Sequence, residues 1–308
     1  MHVPVMLDEV MAGLAVHPGG NYIDATAGGG GHAEAIARGA QPGGRLVCLD
    51  RDAEAVERVR TRLQPFGDCC TVEHTHFAGL AEAARRSGLG RVDGILFDLG
   101  LSSFQVDAPE RGFSFQNDGP LDMRMDDSTG LTAADLVNRD GETELANTFY
   151  VYGEERQSRR VARAIVARRA ERRFETTADL AGVVERVLGG RRGRLHPATR
   201  VFMALRIAVN GELESLEPAL ESALAAVAIG GRVAAISFHS IEDRIVKRVF
   251  SEHVGKWISL QQGGRSWSGR RPTAQHWRGS RPLRPAPEEV SANPRARSAR
   301  LRVVERTD

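Results

Sequence analysis

The sequence is poor in cysteine, lysine and aromatic side chains, and it has no long apolar run. Three cysteines among 308 residues (Cys48, Cys69 and Cys70), two of them adjacent, cannot build a disulfide framework. No CxxC spacing offers a zinc ribbon, and the chain suits a reducing compartment. No apolar stretch approaches the roughly 18 residues that span a bilayer. Met1 to Met11 carries Asp8 and Glu9 where a secretion signal would place a basic segment before an apolar one. A soluble, cytoplasmic protein with no membrane partner is expected. An excess of charge of one sign is also missing: 42 Lys plus Arg against 40 Asp plus Glu leave +2. That total gives no case for a polyanionic partner until it is resolved by position. What is present is a globular composition, 41% hydrophobic and 27% charged, with a length for about two domains at roughly 150 residues each.

From Asn21 to Phe97 short apolar runs alternate with helical text, the pattern of a doubly wound parallel sheet. Asn21 to Asp24, Arg45 to Asp50 and Arg91 to Asp98 read as strands. Ala53 to Leu63 reads as a helix, with Ala55, Val56, Val59 and Leu63 on one face. The pattern breaks near Gln105, and a Gly/Asp/Pro-rich loop (Asp107 to Gly130) leads into helical text from Leu131 to about Leu188. Amphipathic helices follow from about Pro197 to Leu213 and from Leu216 to Ile229, before sheet-like text at Gly231 to Phe238 and Leu301 to Glu305. The expected organisation is an α/β domain over 1–105, an inserted all-helical domain over 106–199, and the rest of the α/β domain with a basic tail over 200–308. Gly255 to Pro287, rich in Gly, Ser, Arg, Pro and Trp, reads as a mobile loop.

Asp24-Ala-Thr-Ala-Gly-Gly-Gly-Gly-His32 lies between a strand and a helix, where a glycine-rich turn lets a ligand approach backbone amides. Asp50, at the end of the second strand, stands where an acidic residue binds a ribose hydroxyl pair. Gly28-x-Gly30-x-x-Ala33 also satisfies a dinucleotide pattern, so a nicotinamide oxidoreductase is an alternative. Asp24 favours S-adenosylmethionine, because a carboxylate repels a pyrophosphate but attracts an ammonium and a sulfonium. Ligands of open α/β sheets lie outside the carboxyl ends of the strands, so Asp24, Asp50 and Asp98 should converge on one crevice. Phe77 is placed to flank an adenine ring. His74 and His76 lack a further ligand at a metal-site spacing, and no metal is expected.

Charge resolved by position is uneven. Arg156 to Arg173 contains eight arginines (156, 159, 160, 163, 168, 169, 172, 173) against Glu171, a local +7. Lys256 to Asp308 has twelve bases and four acids, with Trp257, Trp267 and Trp277 interleaved, whereas Asp98 to Asp135 has eight acids and two bases. Arginine forks suit phosphates and tryptophans can stack unpaired bases. The insertion and the tail, through Arg156, Arg159, Arg160, Arg163, Arg295 and Arg297, are expected to grip RNA, while the acidic stretch faces a cationic cofactor.

Longer motifs carry a resemblance. His2-Val-Pro-Val-Met-Leu-Asp-Glu9, Leu49-Asp-Arg-Asp52, Asp98-Leu-Gly-Leu-Ser-Ser103, Glu110-Arg-Gly-Phe-Ser-Phe115, Gly119-Pro-Leu-Asp-Met-Arg-Met-Asp126, His196-Pro-Ala-Thr-Arg200, Ser237-Phe-His-Ser-Ile-Glu-Asp-Arg244 and Asn293-Pro-Arg-Ala-Arg-Ser298 span almost the whole chain. With them the chain resembles the bacterial 16S rRNA cytosine-N4 methyltransferases, which act at a decoding-centre cytidine. Gly29 stands where that family often has Arg, and Phe104 where Pro is usual. The resemblance implies a Rossmann-like class I methyltransferase sheet split by a helical insertion. It also implies S-adenosyl-L-methionine held by Gly30, Gly31, His32, Asp50, Phe77, Asp98 and Gln105, and 16S rRNA of the small ribosomal subunit as partner, with no DNA. To these, reading of the residues adds Asp24 and Gly28. No cysteine sits in a Pro-Cys motif, which favours amine over ring-carbon methylation. Asp98, with Ser102 or Ser103, is expected to line the transfer point and accept from the amine. His239 reads as a capping or packed histidine. A non-catalytic RNA-binding assembly factor on the same fold is the remaining alternative.

Overall fold

The structure, a computed structural model, describes residues 4–190, 196–259, 265–269 and 273–308. His2 and Val3 of the N-terminal motif, parts of the expected mobile loop (260–264 and 270–272) and the side chain of Trp257 lie outside the described residues. By contact density the chain forms two compact units, Met1–Gly100 with Glu214–Asp308, and Leu101–Leu213.

The first unit is built on a sheet. Its described strands are β1 (Asn21–Asp24), β2 (Arg45–Asp50), β3 (Cys70–His74), β4 (Val92–Asp98), β5 (Val227–Ser237), β6 (Lys256–Ser259), β7 (Arg265–Ser268), β8 (Ala274–His276) and β9 (Arg300–Arg306). Seven of them pair in the order β3-β2-β1-β4-β5-β9-β8. The first five run parallel, and β9 is antiparallel to both its neighbours. β6 and β7 form a separate antiparallel pair. Four described strands depart from the sequence expectation. β3 supplies an additional strand at one edge, and the supposed mobile loop contains β6, β7 and β8, the last of which closes the other edge.

Because successive side chains on a strand point to opposite faces, the sheet divides its apolar residues between two cores. Ile23, Val47, Leu49, Ile95, Phe97, Val233 and Ala235 pack with the helices at 80–86, 212–226 and 240–254. Tyr22, Leu46, Cys48, Leu96, Ala234 and Ile236 pack with the helices at 7–14 and 31–40. The helix Ala53–Leu63 forms where the sequence places it. Asp52 caps it by accepting from Glu54 N at 3.0 Å, and Ala55, Val56, Val59 and Leu63 are buried.

The second unit is helical, with helices at Ser103–Asp107, Ala133–Arg139, Glu142–Val151, Ser158–Glu171, Thr177–Leu188 and Thr199–Asn210 among its described residues. Phe149, Phe174, Val161, Ile165, Leu180 and Leu205 form its core. The helix at 199–210, expected in the second part of the α/β domain, contributes Val201, Phe202 and Leu205 to this core. Its last residue, Asn210, fixes the loop at 123–125 within the same unit: its amide oxygen accepts from Met125 N at 2.8 Å and its amide nitrogen donates to Met123 O at 2.7 Å.

Candidate active site

The alternation that sorts the cores also aims the strand-end carboxylates. Asp24 follows Tyr22 by two residues, Asp50 follows Cys48, and Asp98 follows Leu96, so all three belong to the face packed by the helix Gly31–Ala40. The loops that join them are tied together by hydrogen bonds. Asp24 Oδ1 accepts from Thr26 N at 3.1 Å, closing an Asx turn. Thr26 Oγ1 accepts from Asp98 N at 2.6 Å, linking the ends of β1 and β4. Asp50 Oδ2 accepts from Gly28 N at 2.7 Å and Oδ1 from Asp52 N at 2.9 Å. The carboxylate assigned to ribose hydroxyls is thus also the anchor of the glycine loop. Gly30 caps the helix with φ 76°, a conformation that disfavours side chains. A Cβ on Gly31 would lie 2.9 Å from Pro4 Cγ.

Four polar atoms of three residues in this cluster are left over. Asp24 Oδ2 and Asp98 Oδ1 are enclosed without a hydrogen-bond partner, as are both ring nitrogens of His32. His32 Nε2 lies 3.7 Å from Asp98 Oδ2. Burial pushes the Asp24 carboxyl up to about 7, with Asp50 adding to it against the Thr26 hydrogen bond. Burial, then Asp24 and Glu242, push Asp98 up to about 8; 27% of its side chain meets solvent, which screens that push. Burial also raises Asp50, and it lowers His32 to about 4, leaving a neutral imidazole. Buried acceptors short of donors, in a field of carboxylates, fit a ligand that brings positive charge and N–H groups.

Phe77 takes a different place from these residues. It packs against the opposite core, edge-on to Phe97 with ring centroids 6.0 Å apart, and His76 stacks beside it at 3.9 Å. His74 Nε2 lies 2.9 Å from Arg51 O and His76 caps a turn; among the described residues no three His, Cys, Asp or Glu side chains are grouped so as to hold a metal ion. Ser102, Ser103 and Gln105 belong to the helical unit. There Ser102 Oγ accepts from Gln105 N at 3.3 Å while Gln105 Oε1 accepts from Ser102 N at 3.1 Å, a reciprocal cap. His239 caps the helix at 240–254 through Glu242, as its sequence context suggests.

The arginines divide in two. Arg168 stacks on Phe174 at 5.2 Å and Arg169 donates to Val137 O at 2.7 Å, so both are tied into the helical core. Arg156, Arg159, Arg160 and Arg163 are exposed, with the 163 guanidinium 3.4 Å from Glu142. Arg295 and Arg297 are exposed on a turn around buried Ala296, whereas Arg300 and Arg302 both bind Asp243, at 2.7 and 2.8 Å. The acidic stretch is a correction. Asp118 accepts from Ala178 N, Asp122 pairs with Arg124 at 2.7 Å, and Asp135 pairs with Arg139 at 2.8 Å, all inside the helical unit. Those carboxylates cap and brace their own unit. Trp277, expected to stack bases, packs on the sheet core with Arg278 4.6 Å and Arg232 5.7 Å from its ring. Sequence reading overlooked Thr26 and Glu242. A hydroxyl two residues after a strand-end aspartate was the available signal for the first; nothing local marks the second.

Comparison with known proteins gives the family. The model of the MraW methylase family matches residues 1–307. Proteins named ribosomal RNA small subunit methyltransferase H are similar throughout. That of Dehalococcoides mccartyi is 48% identical, covering 99% of this chain and 86% of its own. That of a Cyanothece species is 49% identical over 100% of this chain and 95% of its own, and that of Thermomicrobium roseum 48% over 99% and 93%. The dinucleotide oxidoreductase and the non-catalytic binding protein give way to a methyltransferase on a mostly parallel α/β sheet, and the chain belongs to the MraW methylase family.

Proposed function

We propose that this enzyme transfers a methyl group from S-adenosylmethionine to the N4 amine of a cytidine in the decoding centre of 16S rRNA. The observation that carries the substrate is the near-half identity, over the whole chain, to proteins named for small-subunit rRNA methylation. Bound S-adenosylmethionine supplies an electrophilic methyl on a sulfonium. Asp24, Asp98 and His32, with their unfilled buried atoms, suit its amine-bearing portion and its positive charge, and the Gly28 to Gly31 turn with Asp50 suits its nucleoside.

The cytidine amine is a weak nucleophile because its lone pair is conjugated with the ring. Asp98 orients it by accepting an N–H, and its raised proton affinity, screened though it is, suits it to receive the proton released on methylation. Ser102 and Ser103 stand nearest in sequence to that role. The exposed Arg156, Arg159, Arg160 and Arg163, with Arg295 and Arg297, contact rRNA phosphates. An assembled or nearly assembled small subunit in the cytoplasm is the natural substrate; among the described residues no helix is long and apolar enough to cross a membrane. Mass spectrometry of small-subunit rRNA from a strain lacking the gene tests the reading. Loss of one N4-methyl group at a decoding-centre cytidine, restored by the gene, is expected; unaltered methylation would overturn it.

A further inference from the structure

A base methylated on its exocyclic amine must leave its stack, and an extruded base needs a π-face to replace the neighbours it loses. The end of β4 offers none: Asp98 is followed by Leu99-Gly100-Leu101. The neighbouring strand does. β5 pairs in parallel with β4 so that Asp98 stands opposite Ile236, and Leu99 N donates to Ile236 O at 3.0 Å. Two residues beyond Ile236 comes Phe238, which packs on the same core as Leu96, Ala234 and Ile236 and so belongs to the face that carries Asp98.

Phe238 is half-buried, unlike Tyr22, Phe97 and Phe250, which are wholly enclosed. Its position is fixed from behind: its backbone N–H donates to Oε2 of buried Glu242 at 2.8 Å, and His239 N donates to the same oxygen at 3.2 Å. Gly100, at φ 97°, lies beside the ring, where a Cβ would come within 3.4 Å of Phe238 Cδ2. The residue of the outgoing chain that lies beside the ring thus has no side chain of its own. The other aromatics of this face are placed otherwise. Tyr22 is sealed in the core, Phe66 lies in the Gln64–Cys69 turn that enters β3, and Trp277 is flanked by Arg232 and Arg278.

We propose that Phe238 is the platform on which the extruded target cytosine stacks, with its amine beside Asp98. This rests on the reading of a cytidine amine as methyl acceptor. A β4 end without an aromatic thereby obtains one from β5, and Glu242 acts as the positioning residue that holds it through the backbone.

The test uses small subunits from a strain lacking this methyltransferase. Replacing Phe238→Leu keeps apolar bulk and removes the π-face. Methylation kcat/KM should fall about tenfold to hundredfold, the stacking of one base, chiefly in KM for the subunit, while S-adenosylmethionine binds within about twofold of wild type. Phe238→Tyr should stay within about threefold. Wild-type kcat/KM in Phe238→Leu would overturn the platform. Should that variant not fold, Phe238→Trp answers the same question: its added fluorescence should be quenched by an rRNA fragment bearing the target base and not by one abasic there, and equal quenching would overturn the proposal. Failure of wild-type enzyme to methylate the subunits would instead overturn the substrate reading.

Discussion

The two units treat charge in opposite ways. The α/β unit turns carboxylates inward at strand ends, leaving Asp24 Oδ2 and Asp98 Oδ1 enclosed and unpaired. The helical unit turns guanidinium groups outward along 156–163 and neutralises its own acids by caps and ion pairs, as Asp122 does with Arg124. Exposed arginines cost little and bind wherever phosphates are presented. Buried carboxylates are expensive, and they persist only where something repays the lost hydration. In the function proposed above, the contrast separates a site for one small cationic ligand from a surface for a long polyanion.

Removing one member of the first group should have the largest effect. Asp98→Asn keeps shape and loses charge and proton affinity; methyl transfer to small subunits should fall by about a hundredfold to a thousandfold, the scale of a lost transition-state hydrogen bond. Wild-type turnover would remove Asp98 from the chemistry. Breaking the second group should spare the first. Reversing Arg159, Arg160 and Arg163 to Glu should weaken RNA binding and reduce the slope of log K against log salt by about three, at ~0.9 per phosphate contact, with S-adenosylmethionine affinity unchanged. A slope equal to wild type would assign that face to solvent.

A smaller effect sharpens the comparison through pH. A carboxyl protonated in the fold and ionised when unfolded stabilises the folded chain in acid, and that contribution is lost as pH rises through its folded value. With Asp24 near 7 and Asp98 near 8, the ligand-free protein should melt progressively lower from about pH 4 to pH 8. A cation favours the ionised forms, so S-adenosylmethionine affinity should rise, about tenfold, across pH 6 to 8.5 by calorimetry. Asp98→Asn should flatten both trends. A pH-independent affinity would place the ligand's charge away from these carboxylates.

Much of this was legible in the chain. Strand β2 and the helix at 53–63 have the bounds that apolar periodicity gives them. Three aspartates at strand ends announce a crevice because strands end where ligands lie. β3 was not legible: Cys70-Thr-Val-Glu-His74 is a half-exposed edge strand of mixed polarity. Nor was β8, three residues in Gly- and Arg-rich text whose pairing comes from β9. The arginine run shows its basic character in sequence but not which members are bound. Arg168 and Arg169 differ from Arg159 and Arg160 only in the side of the helix they occupy and what meets them there.

The sequence by itself determined the doubly wound sheet, the glycine turn, the strand-end carboxylates and the clustering of arginine, because each depends on local spacing and residue type. The tertiary structure alone decided which carboxylate oxygens remain unfilled, that Thr26 joins β1 to β4, that the acids of 118–135 serve their own unit, and that Phe238 comes two residues beyond the partner of Asp98 at the end of β4. The physical reason is distance along the chain: Thr26 and Asp98 are 72 residues apart, and Asp98 meets its register partner Ile236 only once β4 and β5 pair.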